Sequence, residues 1–474
     1  VNIIEDSDGF YTFVYKDTAS SPKAEDLFKV PNQSYHLGLG FPLEKTIGFA
    51  EGKSIEGDYT GNFNFDLNNN AALKYIDLKA GYLLVDLSSN FRHDARLQVT
   101  FHSLIKNGAP LQQTIDFDYN NSIPVHTQRT IDLTGYRIEL SNGDTTTNFF
   151  DYTATLTLVS SGQPISISDS LMIDLKMQNL KYSLLYGNPG VFPIDPATGS
   201  VTIDVFDKTV ISNLYFEEPK VKITFDNSFG IPASVTINKL ETETVDGNKT
   251  PFTSSALNDP ITLNYPLATE TGQSKTTELL LDKNNSDIQT LLSPGPHKVN
   301  YTITTQLGSS ATADKFITDE SRINVYVEVE IPIYGTISIY ALQDTFNIGL
   351  PEREYVERAL MKLKTENELP IDVYLQVYFL DNTNTIIDSL LVQDDNVIVS
   401  GVVDNTGKVI APASKLSEVE LNKIKYDRIA DTERMIVRGS LITTNNTEKS
   451  VKIYSHYKLN VQISLLADAK INFQ

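Results

Sequence analysis

Cysteine is absent from the 474 residues, so neither disulfides nor thiolate-bound metals hold this chain together. That excludes the disulfide-stapled class of small secreted domains. It does not exclude a bacterial periplasm or cell surface, where large β domains do without such bonds. Tryptophan is absent too, and histidine occurs only six times. Positive charge is scarce: 39 Lys and Arg stand against 60 Asp and Glu, a formal charge of −21. A surface of that sign cannot release counterions from phosphate, which excludes a nucleic-acid binder and argues against adhesion to anionic membranes. No stretch approaches the ~20 apolar residues that cross a bilayer as a helix. The chain opens at Val1 with no charged-then-apolar leader. The expectation is an exported protein whose signal peptide lies outside the sequence, with a lipid anchor left open.

What is present is material for β-structure. Hydrophobic residues make up 40%, with 22 Phe and 23 Tyr, and the length fits about three domains of the usual ~150 residues. Apolar and polar residues alternate in Val221–Phe225, Val235–Asn238, Ile323–Val327 and Leu459–Ile463, the period of a half-buried strand. Between such runs lie turn-forming clusters: Asn142-Gly143-Asp144, Ser161-Gly162-Gln163-Pro164, Asp404-Asn405-Thr406-Gly407 and Asn445-Asn446-Thr447. Short strands spaced by turns predict an all-β protein of antiparallel, immunoglobulin-like sandwiches.

The chain also repeats itself. Ile167–Met177, Ile317–Val327 and Ile453–Ile463 share one ungapped pattern, an Ile, a polar step and then alternating apolar positions. Each follows a strand-like run, Ala154–Val159, Val299–Thr305 or Met435–Thr444. A second trio precedes them in the same order: Leu83–Leu87 leading through Asn90-Phe91, Val221–Phe225 through Asn227-Ser-Phe229, and Leu360–Lys364 through Asn367-Glu-Leu369. The period is about 140 residues. Short helices are expected in the second and third repeats, from Ser286-Asp-Ile-Gln289 and from the capping-box spacing Ser417-Glu-Val-Glu420. Leu185-Tyr-Gly187 and Ile333-Tyr-Gly335 close their repeats alike. The expected division is an N-terminal arm over 1–50, with a hairpin turning at Asp6-Ser7-Asp8-Gly9, and three tandem sandwiches over 51–187, 188–335 and 336–474.

Chemistry is harder to find. His36, His93, His102, His126, His297 and His456 show no i, i+4 pair for a helical zinc site. His93 and His102 flank one strand, where a surface or turn position is expected. There is no Gly-x-Ser-x-Gly elbow. Asp6-Ser7-Asp8-Gly9 is similar to the start of a calcium loop, but the twelfth position is Asp17 rather than the bidentate Glu, so a hairpin turn is the better reading. Asp394-Asp395-Asn396 and Asn68-Asn69-Asn70 read as solvated turns. Tyr374 and Tyr378 share a strand face with Gln376, where core or interface packing outweighs sugar stacking. No catalytic, cofactor-binding or metal-binding residue is assigned, no cofactor is expected, and the chain is not expected to be an enzyme.

Val329-Glu-Ile-Pro-Ile-Tyr-Gly335, Leu342-Gln-Asp-Thr-Phe346, Leu369-Pro-Ile-Asp-Val373, Tyr378-Phe-Leu-Asp381 and Ile387-Asp-Ser-Leu390 resemble the carboxy-terminal domains of large envelope proteins of the Bacteroidota. The opening, Glu5–Tyr15, is similar to the first mature residues of the same group. The resemblance covers about a third of the chain. It implies export to the periplasm or outer membrane, and two roles. One is the periplasmic plug subunit of the type IX protein translocon, whose partner is an outer-membrane β-barrel or other translocon protein. The other is a glycan-binding surface lipoprotein of tandem sandwiches. An adhesin or fimbrial subunit ranks third. Asp17-Thr18-Ala19, Asp169-Ser170-Leu171 and Asp388-Ser389-Leu390 look like O-glycosylation sites of that phylum. No nucleic-acid partner and no small-molecule substrate is expected.

Overall fold

The computed structural model describes residues 2–143, 147–206, 211–293, 295–308, 315–350, 354, 356–391 and 396–469. Asp144, Asp394 and Asp395, all named above as turn residues, lie outside that set. The chain is all-β, 60% strand and 7% helix. The N-terminal segment holds β1 (Asn2–Glu5), β2 (Tyr11–Ser20), the single-turn α1 (Ala24–Leu27) and β3 (Gln33–Leu39). The first repeat is built on β4 (Ala72–Ser89), β5 (Asp94–Lys106), β6 (Phe149–Val159) and β7 (Leu171–Asn188). The second follows with β8 (Ile211–Phe216), β9 (Lys220–Asn227), β10 (Ala233–Glu243), α2 (Ile288–Leu292), β11 (Lys298–Leu307), β12 (Lys315–Thr318) and β13 (Ile323–Pro332). Last come β14 (Tyr334–Asn347), β15 (Val356–Asn367), β16 (Ile371–Leu380), β17 (Ala413–Asn422), α3 (Lys423–Ile429), β18 (Arg434–Thr443) and β19 (Leu459–Ala469).

One four-strand arrangement occurs three times. The first and last strands pair antiparallel, β4 with β7, β9 with β13 and β15 with β19. The two middle strands pair likewise, β5 with β6, β10 with β11 and β16 with β18. The chain passes from one layer to the other at a corner with a local chemical cause. A side-chain oxygen accepts the backbone N–H two residues on: Ser89 Oγ from Phe91 N (3.3 Å), Asn227 Oδ1 from Phe229 N (3.0 Å) and Asn367 Oδ1 from Leu369 N (2.9 Å). Short Ser and Asn side chains bend the backbone in this way, and the residue two on is swung inward. Phe91 and Phe229 are fully buried there.

The corners correct the alignment of the repeats. Ser89 lies opposite Leu171, Asn227 opposite Ile323 and Asn367 opposite Leu459. Leu171, not Ile173, is therefore the equivalent of Ile323 and Leu459. A period-two pattern is unchanged by a shift of two, so the ungapped comparison slipped unnoticed by one strand repeat. The Ile that opens each pattern also differs in setting: Ile167 is exposed and Ile317 is buried.

The repeats are interlocked. β8 pairs with β14, and β12 pairs with the end of β7. The N-terminal segment carries the expected hairpin, β1 on β2, with Asp6 Oδ1 accepting from the amides of Asp8 and Phe10 and Gly9 at φ +84°. It also supplies strands to both later layers: β2 runs antiparallel along β13 and β3 along β7. The Tyr-Gly steps have a steric basis. A Cβ on Gly335 would sit 1.8 Å from the Tyr215 carbonyl oxygen where β8 crosses, and one on Gly187 would sit 2.7 Å from that of Ala72. In the first repeat, strand Arg137–Glu139 pairs with both β4 and β5, so its two layers form one curled sheet.

Buried side chains from Tyr15 to Ile331 form one continuous core across the first two repeats. Phe28, after α1, sits at its seam against the rings of Tyr182 (6.2 Å) and Phe192 (6.5 Å). Val356, Ala359, Phe379, Tyr426 and Ile429 of the third repeat are buried outside that cluster. Both expected helices exist, but the second is displaced. Ser417–Glu420 lies in strand β17, and α3 starts six residues later, where the Asn422 side chain accepts from Lys425 N. Alternation of Val419 and Leu421 with Glu418 and Glu420, on a strand paired to β15, outweighs the capping signal.

Candidate interaction surfaces

The N-terminal segment meets both interlocked repeats at Lys79 on β4. Its Nζ lies 2.8 Å from Glu25 Oε2 on α1 and 2.5 Å from Asp319 Oδ2 beyond β12. Those hydrogen bonds hold the Glu25 carboxyl below the usual carboxylate range and raise the Lys79 ammonium above its own. Around this node lies a cleft of about 710 Å³, with Phe28, Lys29, Asn32, Lys181 and Tyr182 on its walls. Lys79 is paired there with carboxylates from two other segments, and the contact clamps them together.

A second cleft, about 320 Å³, follows the seam where β8 lies on β14. Phe13, Leu214, Phe216, Ile337, Ile371 and Leu441 make it almost wholly apolar. Above it the N-terminal hairpin is fastened to the third repeat. Ser455 N donates to the Gly9 carbonyl (2.8 Å), Ser455 Oγ donates to Glu5 Oε1 (2.6 Å), and the Phe10 ring lies 5.5 Å from that of Tyr454. Lys452 Nζ sits between the Phe10 and Tyr334 rings, 6.0 and 4.7 Å from their centres, and Lys408 covers Tyr454 at 5.1 Å.

The histidines do not converge. His36 is exposed and bonds Asp174 across β3 and β7, and His102 Nε2 lies 2.9 Å from Thr153 Oγ1. His93 corrects the surface expectation: it is 1% exposed, packs edge-on to Phe49 at 5.1 Å, and accepts the Ser161 amide at Nδ1 (3.1 Å). Burial holds its pKa below the ordinary imidazole value, and its buried Nε2 has no hydrogen-bond partner. Its charged sequence neighbours, Arg92 and Asp94, gave no sign of this, because Phe49 arrives from a distant loop. Among the described residues no three His, Asp or Glu side chains gather as metal ligands.

Tyr374 and Tyr378 are half-buried rather than displayed, and the Arg438 guanidinium lies 5.1 Å over the Tyr378 ring. Gln376 between them is tied to the backbone of Leu391 through both amide atoms. Among the described residues the exposed large aromatics are Tyr326 and Phe346, on different sheets, so no stacking platform is assembled. Of the glycosylation-like triplets, Thr18 is exposed, while Ser170 and Ser389 are half-buried.

Exposed apolar side chains concentrate in the third repeat. Val402, Ile410, Leu416 and Ile424 lie on or near β17, and Leu459, Val461, Ile463 and Leu466 lie on β19. Sequence reading missed this surface, since the same alternation marks a strand whether or not its apolar face is covered.

No protein-family model matches the chain, and no curated protein matches it. Among solved structures, a protein of Parabacteroides distasonis predicted to be secreted aligns at 15% identity with a TM-score of 0.32, over 59% of this chain and 89% of that one. The VP2 subviral particle of infectious bursal disease virus aligns at 11% identity and TM-score 0.14, over 96% and 87%. A tandem CBM22 domain of Paenibacillus barcinonensis Xyn10C gives 9% and 0.13, over 60% and 95%. At these scores the likenesses carry no argument about what this chain does.

Proposed function

We propose that this chain is a non-catalytic interaction subunit of a bacterial cell envelope, exported to the periplasm or outer membrane, that binds an outer-membrane protein assembly. Its sharpest form is the periplasmic plug of a protein-translocation channel such as the type IX translocon. The division into an arm, 1–50, and units 51–187, 188–335 and 336–474 belongs to this proposal. The observation that supports it is the exposure of large aliphatic side chains in the third unit, with Leu459, Val461 and Ile463 on one face of the sheet that holds β17 and β19, and Leu416 and Leu466 on the other. An exposed apolar area at one end of an acidic protein is the usual mark of a docking surface. The interlocked first two repeats and the fastened hairpin supply a stiff body on which to present it.

The test is affinity isolation of the full chain from native membranes after cross-linking, with mass spectrometry of what is bound. The expected result is recovery of an outer-membrane β-barrel, weakened when Leu416 and Ile463 are replaced by Asp. Recovery of no β-barrel protein would refute the proposal. Among the described residues no two exposed flat rings lie together, so the glycan-binding reading lacks its necessary observation.

A further inference from the structure

In the first two repeats the last strand is never left at an edge. β3 lies along β7, placing Leu39 opposite Leu171, Leu37 opposite Ile173 and Tyr35 opposite Leu175. β2 lies along β13, placing Ala19 opposite Val325, Asp17 opposite Val327 and Tyr15 opposite Val329. Both covering strands come from the segment before the first repeat, so neither repeat encodes its own. Their inward residues close the core: Tyr15 is 4% exposed, and Asp17 Oδ2 accepts the hydroxyl of Tyr301 from the opposite layer (2.8 Å).

The third repeat has the same strand and no cover. β19 pairs with β15, and among the described residues nothing pairs with its other edge. The consequence is legible at equivalent positions. Leu171 and Ile323 are 0% and 1% exposed, and Leu459 is 40% exposed. One step on, Ile173 and Val325 are both 3% exposed against 49% for Val461. The next step gives 2% and 0% for Leu175 and Val327, against 67% for Ile463. These three side chains share the face of Thr365 and Asn367, which are buried. They therefore point to the inside of a sandwich that stops one strand short.

We propose that β19 is an acceptor for one antiparallel strand of another polypeptide, a segment of about seven residues with aromatic or aliphatic side chains at alternate positions. The two filled sites define the occupant: an extended strand delivered from outside the repeat, with Tyr35-x-Leu37-x-Leu39 along β7 and Tyr15-x-Asp17-x-Ala19 along β13. The described chain holds two such strands for three such sites, and both are in use. The strand of this kind that a second copy would bring is β19 itself, and a formal charge of −21 on each copy opposes their approach. The acceptor strand prefers a neutral or basic segment accordingly. This inference deepens the interaction proposal and rests on it, naming the chemistry of the partner at one edge.

The test uses the full chain and two synthetic peptides, one with the β3 sequence Asn32–Gly40 and a lysine tail, the other with the same composition and its alternation broken. Amide hydrogen exchange is followed across Leu459–Asp468. The alternating peptide slows exchange there at least tenfold and the scrambled one does not, while Leu171–Met177, already covered by β3, is unchanged. Ile463→Lys and the pair Val461→Asp with Ile463→Asp abolish the slowing. These side chains are exposed, so fold should persist; a peptide N-methylated along its pairing edge gives the same loss without altering the protein. No slowing at saturating peptide would overturn the inference. So would slow exchange in the peptide-free protein that sediments as a dimer, which would put a second copy on the edge. If the peptide fails but membrane isolation still recovers a β-barrel, only the strand acceptor falls; if both fail, the interaction proposal falls with it.

Discussion

Replacing Asn227 by Ala tests the corner that recurs in the fold. Asn227 is fully buried; its Oδ1 accepts from Phe229 N at 3.0 Å and its Nδ2 donates to the Asn264 carbonyl at 3.0 Å. The substitution deletes both bonds and strands the buried N–H of Phe229, a cost of about 2–4 kcal/mol. In a cooperative core of the size shared by the first two repeats, that lowers the melting temperature by roughly 3–8 °C. Ser89→Ala removes a single, longer bond at the equivalent corner and costs about 0.5–1.5 kcal/mol. Scanning calorimetry measures both, and tyrosine fluorescence follows the same transitions, since the chain has 23 Tyr and no Trp. If Ser89→Ala costs as much as Asn227→Ala, or Asn227→Ala moves the transition by less than about 1 °C, the corner bond is not what holds the turn.

Because the buried residues of the third repeat stand apart from the continuous core, calorimetry resolves two transitions, and Asn367→Ala, which loses bonds to Leu369, Ile371 and Val399, lowers only the smaller one. A single transition shifted as a whole would refute that separation. Gly230→Ala places a Cβ 2.2 Å from the buried Phe316 ring and costs about 3 kcal/mol or more, read as loss of soluble protein at 37 °C. Tyr301→Phe breaks the bond to Asp17 and loosens β2, so trypsin cuts at Lys16 or Lys23 faster; an unchanged rate would show that the bond does not anchor the strand. His93 is held below its ordinary pKa, so the unfolded chain takes up a proton that the folded one refuses. Its contribution is therefore complete above about pH 6.5 and is lost as pH falls from there through the folded value. His93→Gln flattens the fall in melting temperature between about pH 6.5 and 5 relative to the parent; an identical slope would exclude this group as its source.

Period-two alternation and Asn/Gly/Ser turns were enough to read an all-β antiparallel chain, its paired motifs and its N-terminal hairpin. These are local properties, settled by which face of a strand meets water and which residues tolerate a turn. The exact equivalence of the repeats was not legible. Ile173 and Leu171 are interchangeable in an alternating pattern, and only pairing with Ser89 distinguishes them. The helix at Lys423 was misplaced for a similar reason, because a capping spacing at Ser417 competes with a strand whose partner lies more than fifty residues away in β15.

Composition, alternation and turn chemistry by themselves determined the fold class and the absence of any thiol or basic surface. Tertiary structure alone decided that β2 and β3 leave their place in the chain to close the first two repeats, that His93 is buried, and that β19 is left uncovered. The physical reason is that a strand's sequence specifies which of its faces is apolar but not what lies beside its edge. Backbone N–H and C=O groups are the same at every residue, so the neighbour that completes a sheet is chosen by the whole assembly.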